Sequence, residues 1–258
     1  MLRHLGLAAL VLALFSAVAP VSATTPLRTL STADDGRGWE AVGRLDLNGR
    51  GFCTATLITP EIAMTAAHCL YDGRTGARLA VDRIEFQAGL RFGRAEAHRG
   101  VRRAVLHPDY DFAGRKGVAR IGTDLALLQL DRPIRMGHVR PFGTRPRIAP
   151  GQPVEVVSYA VNRADAPSQE EACQVLTREA NVLVLSCTVD FGASGAPVFV
   201  TAGGETSIVS VISAKAKWRG RPVALAVVME GELDALMAEF NRGPNFAAVG
   251  KRVQVATR

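Results

Sequence analysis

Residues 64–71 read MTAAHCLY, and this stretch says more about fold and chemistry than any other part of the sequence. A second stretch, GASGAP, occupies residues 192–197. Between them an acidic residue, Asp124, begins the apolar run DLALL. Histidine, aspartate and serine in this chain order are the three parts of a nucleophilic triad. The sequence therefore predicts that His68, Asp124 and Ser194 meet in one catalytic site.

Short β-like runs recur as far as residue 228, with turn-forming pairs such as Asn-Gly and Gly-Gly between them. Examples are Val42–Leu47, Phe52–Ile58, Ile84–Gln87, Val101–Leu106, Leu125–Leu130, Val154–Ala160, Val182–Cys187, Ala196–Val200, Ser207–Ser213 and Pro222–Val228. Many short strands with turn signals at this spacing indicate an all-β barrel or sandwich. Helical spacing occurs only near the end, from about Gly231 to Asn241, where apolar residues share one face.

Prolines and glycines are dense around residues 140–153, which hold four prolines and two glycines. This composition predicts a linker between two β halves. The expected divisions are a lead-in or short pro-segment at 24–40, a first half at 41–140, the linker at 141–153, a second half with the helix at 154–245, and a tail at 246–258. Histidine and aspartate fall in the first half and serine in the second, so we expect the active site in the crevice between halves.

The first 23 residues have the three parts of a cleaved secretory signal peptide. Arg3 supplies the basic start, residues 5–19 are apolar, and small residues at 21–23 form the exit. The alternative is a membrane anchor, but the apolar run is shorter than the roughly 20 residues that span a bilayer. The mature protein is expected to begin near Thr24, to be secreted or periplasmic, and to be free of the membrane.

Composition favours a globular protein, because 48% of the residues are hydrophobic. The formal net charge is +7, but the basic residues are scattered along the chain. Scattered arginines favour a solvated basic surface over nucleic-acid binding, and aromatic residues for base stacking make up only 6%. The expected partners are protein or peptide substrates, with no nucleic acid, and the protein is expected to be a monomer.

Four cysteines remain after the signal peptide, and an even number in an exported chain indicates disulfides. Four cysteines can pair in three ways. The simplest way has two short loops, closed by Cys53–Cys69 and by Cys173–Cys187. Each short loop would gain about 3 kcal/mol by the loop-entropy model. A zinc site is the competing interpretation, but no C-x-x-C or paired-histidine spacing supports it. Neither a metal nor a cofactor is predicted.

Taken together, these residues resemble the chymotrypsin-like (trypsin-fold) serine proteases, in their bacterial-type branch. The resemblance rests on TAAHC at 65–69 with its upstream Cys53, on HPDY at 107–110 leading to DLALL, and on G-x-S-G-x-P at 192–197. It implies two six-stranded antiparallel β-barrels with a C-terminal helix, a disulfide on the histidine loop, and serine endopeptidase activity. His107 within HPDY is interpreted as a surface loop residue.

The sequence departs from the family pattern at Ala193. The animal digestive enzymes have aspartate there, and it pairs with a new N-terminal amine after zymogen cleavage. Alanine cannot form that pair, and the Ile-Val-Gly-Gly start of those enzymes is also missing. Activation by N-terminal insertion is therefore not expected in this chain.

The resemblance also implies an oxyanion hole and a substrate site. The backbone N–H groups of Gly192 and Ser194 would form the oxyanion hole. Thr188 would lie near the base of the primary pocket, and it offers no acidic group to attract Lys or Arg. The substrate backbone would pair with the strand residues Ser210, Val211 and Ile212, and Ile212 would narrow the pocket. These positions predict a preference for small or medium apolar side chains.

Two other functions compete with an exported endopeptidase. One is a catalytically silent trypsin-fold protein that binds a partner through its cleft, because fold alone never proves activity. The other is an esterase, but an α/β-hydrolase would place its serine before the acid and the histidine. The chain order found here speaks against that fold.

Overall fold

The computed structural model describes residues 27–114, 117–145, 147–244 and 246–247. Within these residues the strands are β1 (Arg28–Thr29), β2 (Val42–Leu47), β3 (Phe52–Thr59), β4 (Ile62–Thr65), β5 (Ile84–Ala88), β6 (Ala97–Leu106), β7 (Ala126–Leu130), β8 (Gly143–Thr144), β9 (Pro153–Ala160), β10 (Arg163–Glu179), β11 (Val182–Leu185), β12 (Pro197–Ala202), β13 (Glu205–Trp218), β14 (Arg221–Val228) and β15 (Phe246–Ala247). The helices are α1 (Val118–Gly122), α2 (Glu232–Arg242) and two 3₁₀-helices at Ala67–Leu70 and Val81–Arg83. The predicted signal peptide and most of the predicted tail lie outside the described residues.

The first barrel is a closed ring of six antiparallel strands. Its order is β6-β5-β2-β3-β4-β7, and pairing of β7 with β6 closes the ring. In β3 and β7 consecutive residues are buried, not alternate ones. Successive side chains of a strand point to opposite faces of the sheet, so a strand with consecutive buried residues is covered on both faces. One face of these strands therefore packs inside the barrel and the other against the rest of the molecule.

The second barrel is also closed and antiparallel. Its order is β10-β11-β14-β13-β12-β9, and pairing of β9 with β10 completes the ring. The short strand β1 adds to its outside by pairing with β10, and β8 pairs with β13. Strand β13 shifts register between Ile212 and Ala214, so that Ser213 lies at a β-bulge.

A shared apolar cluster joins the two barrels to the C-terminal helix. Its members come from both rings and from α2, and they include Val42, Met64, Val105, Leu127, Val157, Tyr159, Phe199, Val211, Val227, Leu233, Leu236 and Phe240. Helix α2 lies within one residue of the predicted span, and its predicted apolar face is buried at Leu233, Leu236 and Phe240. After α2 the chain returns to the first barrel, where Phe246 pairs with Ala104 of β6.

The predicted architecture of two six-stranded barrels with a C-terminal helix is confirmed. The first ring lies between residues 42 and 130 and the second between 153 and 228, whereas the exact domain boundaries stay predictions. Two strands of the rings, β4 and β10, are not among the predicted runs, and neither are the short outer strands β1, β8 and β15. Among the described helices, none combines the length and the apolar character that crossing a bilayer requires.

Candidate active site

His68 lies on the 3₁₀-helix Ala67–Leu70, directly after the buried strand β4. The neighbouring Cys69 is joined by a disulfide to Cys53 on β3. The side chain of His68 is 31% exposed, whereas the residues next to it in the chain are buried. The fold thus fixes the backbone of His68 rigidly and leaves part of the imidazole open to a substrate.

Asp124 precedes β7 and holds His68 through both carboxylate oxygens. Oδ1 accepts the backbone N–H of His68 at 2.8 Å, and Oδ2 lies 2.7 Å from His68 Nδ1. The carboxylate is nearly inaccessible to solvent, with 4% of the side chain exposed. An imidazole bonded to a carboxylate in this way carries its proton on Nδ1, so Nε2 is free to act as a base.

The pKa of His68 reflects two opposing influences. Burial disfavours the imidazolium and lowers the pKa, but the negative charge of Asp124 and its hydrogen bond raise it by more. The net effect is a pKa above the ordinary value of histidine. An imidazolium that forms during a reaction is therefore stabilised where it stands.

Ser213 is a site residue that sequence analysis missed. Its Oγ donates to Oδ2 of Asp124 at 2.5 Å, so the same carboxylate oxygen faces both Ser213 and His68. Ser213 lies at the β-bulge of β13 and is buried. It follows the predicted substrate strand directly, but a serine in an apolar strand carries no sequence signal of such a role.

The loop that carries Ser194 is clamped between the two barrels. The Ser194 carbonyl accepts the N–H of Thr54 on β3 at 2.8 Å, and the N–H of Gly195 donates to the carbonyl of Ile212 at 2.7 Å. Gly195 has φ +79°, and a Cβ there would collide with the backbone N of Ala66. Only glycine allows so close an approach. The loop therefore packs against the residues that lead into the histidine.

Ser194 itself is half-buried, whereas its neighbours on both sides are buried. In the described part of the chain no hydrogen bond joins its Oγ to His68. Such bonds are often long in a site without substrate and tighten when substrate binds. The structure thus brings His68 and Asp124 into direct contact. It also brings the Ser194 backbone against β3, the strand whose Cys53 is bonded to Cys69 beside His68.

The predicted oxyanion donors have a distinctive backbone arrangement. Gly192 has φ +98°, and any side chain there would overlap the ring of Phe52. Ala193 N–H donates to the carbonyl of Asp190 at 3.0 Å. Among the described residues, the N–H groups of Gly192 and Ser194 donate to no protein acceptor. An oxyanion hole needs N–H donors that no protein group already uses, and both of these groups meet that requirement.

The residues predicted to contact substrate lie in different environments. Thr188 is exposed, and its N–H donates to Oε2 of Glu170 at 2.8 Å. The predicted strand residues Ser210, Val211 and Ile212 are at most 1% exposed. Their strand is paired on both sides, with β12 and β14. The burial of these three side chains gives no support for direct contact with a substrate.

Beyond the bulge, β13 pairs only with β14 within the described residues, so its other edge is open beside the nucleophile loop. Lys215 lies on this part of the strand. Its Nζ is 2.7 Å from Oδ1 of Asp190 and 3.9 Å from the ring centre of Phe191. Phe191 is 69% exposed, which is unusual for a large apolar side chain. These three residues connect the open edge of β13 to the loop that carries Ser194.

His107 is buried at 2% exposure, so its interpretation as a surface loop residue was wrong. Its Nδ1 accepts the N–H of Asp109 at 3.2 Å, and its Nε2 lies 3.0 Å from Oε2 of Glu232 on α2. Burial lowers the pKa of His107, although Glu232 and Asp109 act in the opposite direction. The residue connects the end of β6 to the C-terminal helix.

Both short disulfides predicted from the sequence are present, Cys53–Cys69 and Cys173–Cys187. Cys53, His68 and Cys69 lie close enough together to resemble a metal site. Their two sulfurs are bonded to each other, however, and a metal needs thiolates. The donor set therefore does not fit a bound metal.

Comparison with known proteins gives a consistent result. A family model described as Trypsin matches residues 31–221. An uncharacterized peptidase of Corynebacterium glutamicum (strain R) is 26% identical over 208 residues, which are 73% of this chain and 65% of that protein. The chain thus spans slightly less than two thirds of that relative. Human granzyme M is 34% identical over 110 residues, 42% of this chain and 36% of its own.

A solved structure of a Glu endopeptidase in complex with MPD superposes with a TM-score of 0.67. The match covers 81% of this chain and 94% of that one, at 17% sequence identity. Likeness at this level of identity concerns the fold alone.

Proposed function

The chain belongs to the trypsin family of serine proteases, and from that premise we propose that it is an exported serine endopeptidase that acts through His68, Asp124 and Ser194. The observation that carries the proposal is the carboxylate of Asp124. It is buried and it contacts both the backbone N–H and Nδ1 of His68. A lone structural histidine does not need this double contact.

In the proposed first step, Ser194 Oγ attacks the carbonyl carbon of the scissile peptide bond. As the new C–O bond forms, the hydroxyl proton moves to Nε2 of His68. Asp124 keeps its negative charge and stabilises the imidazolium without taking the proton. The carbonyl oxygen becomes an oxyanion, which the N–H groups of Gly192 and Ser194 stabilise. One such donor is typically worth about 3–4 kcal/mol in the transition state.

The tetrahedral intermediate then collapses. The C–N bond breaks, His68 gives its proton to the leaving amine, and an ester between the substrate acyl group and Ser194 remains. A water molecule attacks this ester while its proton passes to His68. Cleavage of the C–O bond returns that proton to Ser194 and releases the new carboxyl end of the peptide.

Export is supported by the signal-like segment at residues 1–23 and by the two disulfides. Disulfides form and persist in oxidising compartments outside the cytoplasm. We therefore place the mature enzyme in the periplasm or the external medium.

The proposed specificity is for small or medium apolar side chains. Thr188 offers no charge at the expected base of the pocket, and the nearby Glu170 carboxylate is occupied by the Thr188 N–H. The exposed ring of Phe191 adds apolar surface beside the nucleophile. Cleavage of a peptide library tests this proposal, and strong cleavage after Arg, Lys or Glu would contradict it.

A fluorophosphonate probe separates the enzyme from its competitor, a silent binding protein with the same fold. The enzyme should be labelled on Ser194, and Ser194→Ala and His68→Ala should abolish labelling and cleavage in proteins that still fold. Either single change lowers kcat about 10⁶-fold in such triads. A native protein that resists the probe would favour the silent binding protein.

A further inference from the structure

Thr54 donates two hydrogen bonds to the loop Gly192–Ser194, and no motif in the sequence predicts them. It lies on β3 next to Cys53 and is fully buried. Its backbone N–H donates to the Ser194 carbonyl at 2.8 Å. Its side-chain Oγ1 donates to the carbonyl of Gly192 at 2.9 Å. One residue of the first barrel thus holds both Gly192 and Ser194, whose N–H groups are the proposed oxyanion donors.

The same hydroxyl also fixes its own position from the second barrel. Thr54 Oγ1 accepts the backbone N–H of Tyr159 on β9 at 3.1 Å. Its donor and acceptor functions are therefore both used, and the O–H must point at Gly192. Tyr159 is fully buried, and its hydroxyl donates to the carbonyl of Leu90, so the anchoring strand is itself rigid.

Gly192 needs such an anchor because glycine has the widest backbone freedom of any residue. Two peptide planes meet at Gly192, and each is held from outside. The carbonyl of Phe191 accepts the N–H of Val161 at 2.8 Å, which fixes the plane that contains the Gly192 N–H. Thr54 fixes the following plane. Ala193 between the two donors is buried and has no polar side chain that could hold the loop.

We infer that Thr54 is the positioning residue of the oxyanion hole and that its hydroxyl keeps the Gly192–Ser194 loop in its active conformation without an ion pair. This inference rests on the proposed function for its kinetic consequence, but its structural part does not.

Thr54→Val tests the inference, because valine keeps the shape and removes the hydroxyl. We expect kcat on a peptide amide to fall roughly 10- to 100-fold, the size expected when reacting groups shift by about an ångström. KM should change little. The pH at which activity is lost in acid should not move, since His68 and Asp124 are untouched. Thr54→Ser keeps the hydroxyl and should retain most of the native kcat.

Thr56→Val is the matched control. Thr56 lies two residues further along β3 and is also buried, but its Oγ1 has no hydrogen-bond partner in the described part of the chain. Its substitution should leave kcat unchanged. If Thr54→Val does not fold, Thr54→Ser and Thr54→Ala give the same comparison, because they differ only by the hydroxyl.

Amide hydrogen exchange over residues 190–196 provides a readout that does not require activity. Exchange should be faster in Thr54→Val than in the native protein, Thr54→Ser or Thr56→Val. Native kcat and native exchange in Thr54→Val would overturn the inference, as would an equal loss in Thr54→Ser. If the native protein neither cleaves nor labels, the proposed function fails, and the exchange rates still decide whether Thr54 orders the loop.

Discussion

The two walls of the cleft differ in how firmly their side chains are held. On the wall of the first barrel, His68 and Asp124 are fixed by a disulfide, short hydrogen bonds and burial. On the wall of the second barrel, Lys215 and Phe191 are exposed and touch mainly each other and Asp190. An exposed ion pair of this kind contributes little to stability. The groups proposed for catalysis are thus rigid, and those beside the substrate are adjustable.

The largest effect that this contrast predicts is that of Asp124→Asn. The amide keeps the size of the carboxylate but stabilises the wrong tautomer of His68. It also carries no negative charge to stabilise the positive imidazolium. We expect kcat to fall by about 10⁴ with only a modest change in KM. Steady-state kinetics, with thermal unfolding as the control for folding, measures this. A loss of less than tenfold would contradict the proposed role of Asp124.

Activity should also fall steeply in acid. His68 must be neutral to accept a proton. Burial lowers the pKa of His68, but Asp124 raises it by more, so the net pKa is above the ordinary value. The acid midpoint of kcat/KM should therefore lie above about 6.5, with a loss of about tenfold per pH unit below it. The exposed His98 offers a control, since His98→Gln should leave the profile unchanged. A rate that stays flat down to pH 4 would refute the role of His68.

The same ion pair has a consequence for stability. A histidine with a raised pKa in the folded state stabilises the fold below its unfolded pKa and loses this contribution as pH rises through the folded value. His107 acts in the opposite sense, because burial lowers its pKa.

Ser213→Ala should have a smaller effect than Asp124→Asn. Without the Ser213 hydroxyl, Oδ2 of Asp124 loses a donor and attracts the His68 proton more strongly. We expect the acid midpoint to move upward and kcat/KM at neutral pH to fall by about tenfold or more, because a hydrogen bond to a charged group contributes about 1.5–3 kcal/mol and about 1.4 kcal/mol is a factor of ten. The buried Ser207 lies on the same strand, and Ser207→Ala is the matched control. An unchanged midpoint would count against this role of Ser213.

The smallest effect concerns the second wall. Lys215→Ala should alter relative kcat/KM among peptide substrates by only a few-fold, because an exposed pair contributes little. The rate of fluorophosphonate labelling should stay the same, since Ser194 and His68 are not touched. Lys217→Ala, exposed on the same strand, serves as the control. A loss of labelling in Lys215→Ala would mean that the two walls are coupled.

Much of the fold follows from local pattern. Strand β2 was predicted with its observed bounds, and β9 and α2 within one residue, because their apolar residues recur at strand or helix spacing. Strand β10 was missed because its sequence is rich in charged residues and contains Pro167. Strand β4 was missed because it runs directly into the histidine motif. Pairing with neighbouring strands, not its own sequence, makes each of them a strand.

The triad residues could be proposed from sequence because each lies in a distinctive motif. Ser213 and Thr54 could not, because a single hydroxyl in an apolar strand is common and its partners come from distant parts of the chain. The substrate strand was proposed at Ser210–Ile212, but the bulge at Ser213 leaves the open edge beyond it. Bulges depend on the whole sheet, so a one-dimensional pattern does not reveal them.

The apolar cluster shared by the barrels and α2 also determines how the molecule responds to heat. Neither ring can open on its own without exposing the side chains that fill the seam between them, and Phe246, which follows α2, pairs with β6 of the first barrel. The two halves should therefore melt in a single calorimetric transition. We expect no populated intermediate in which one barrel is unfolded and the other is folded.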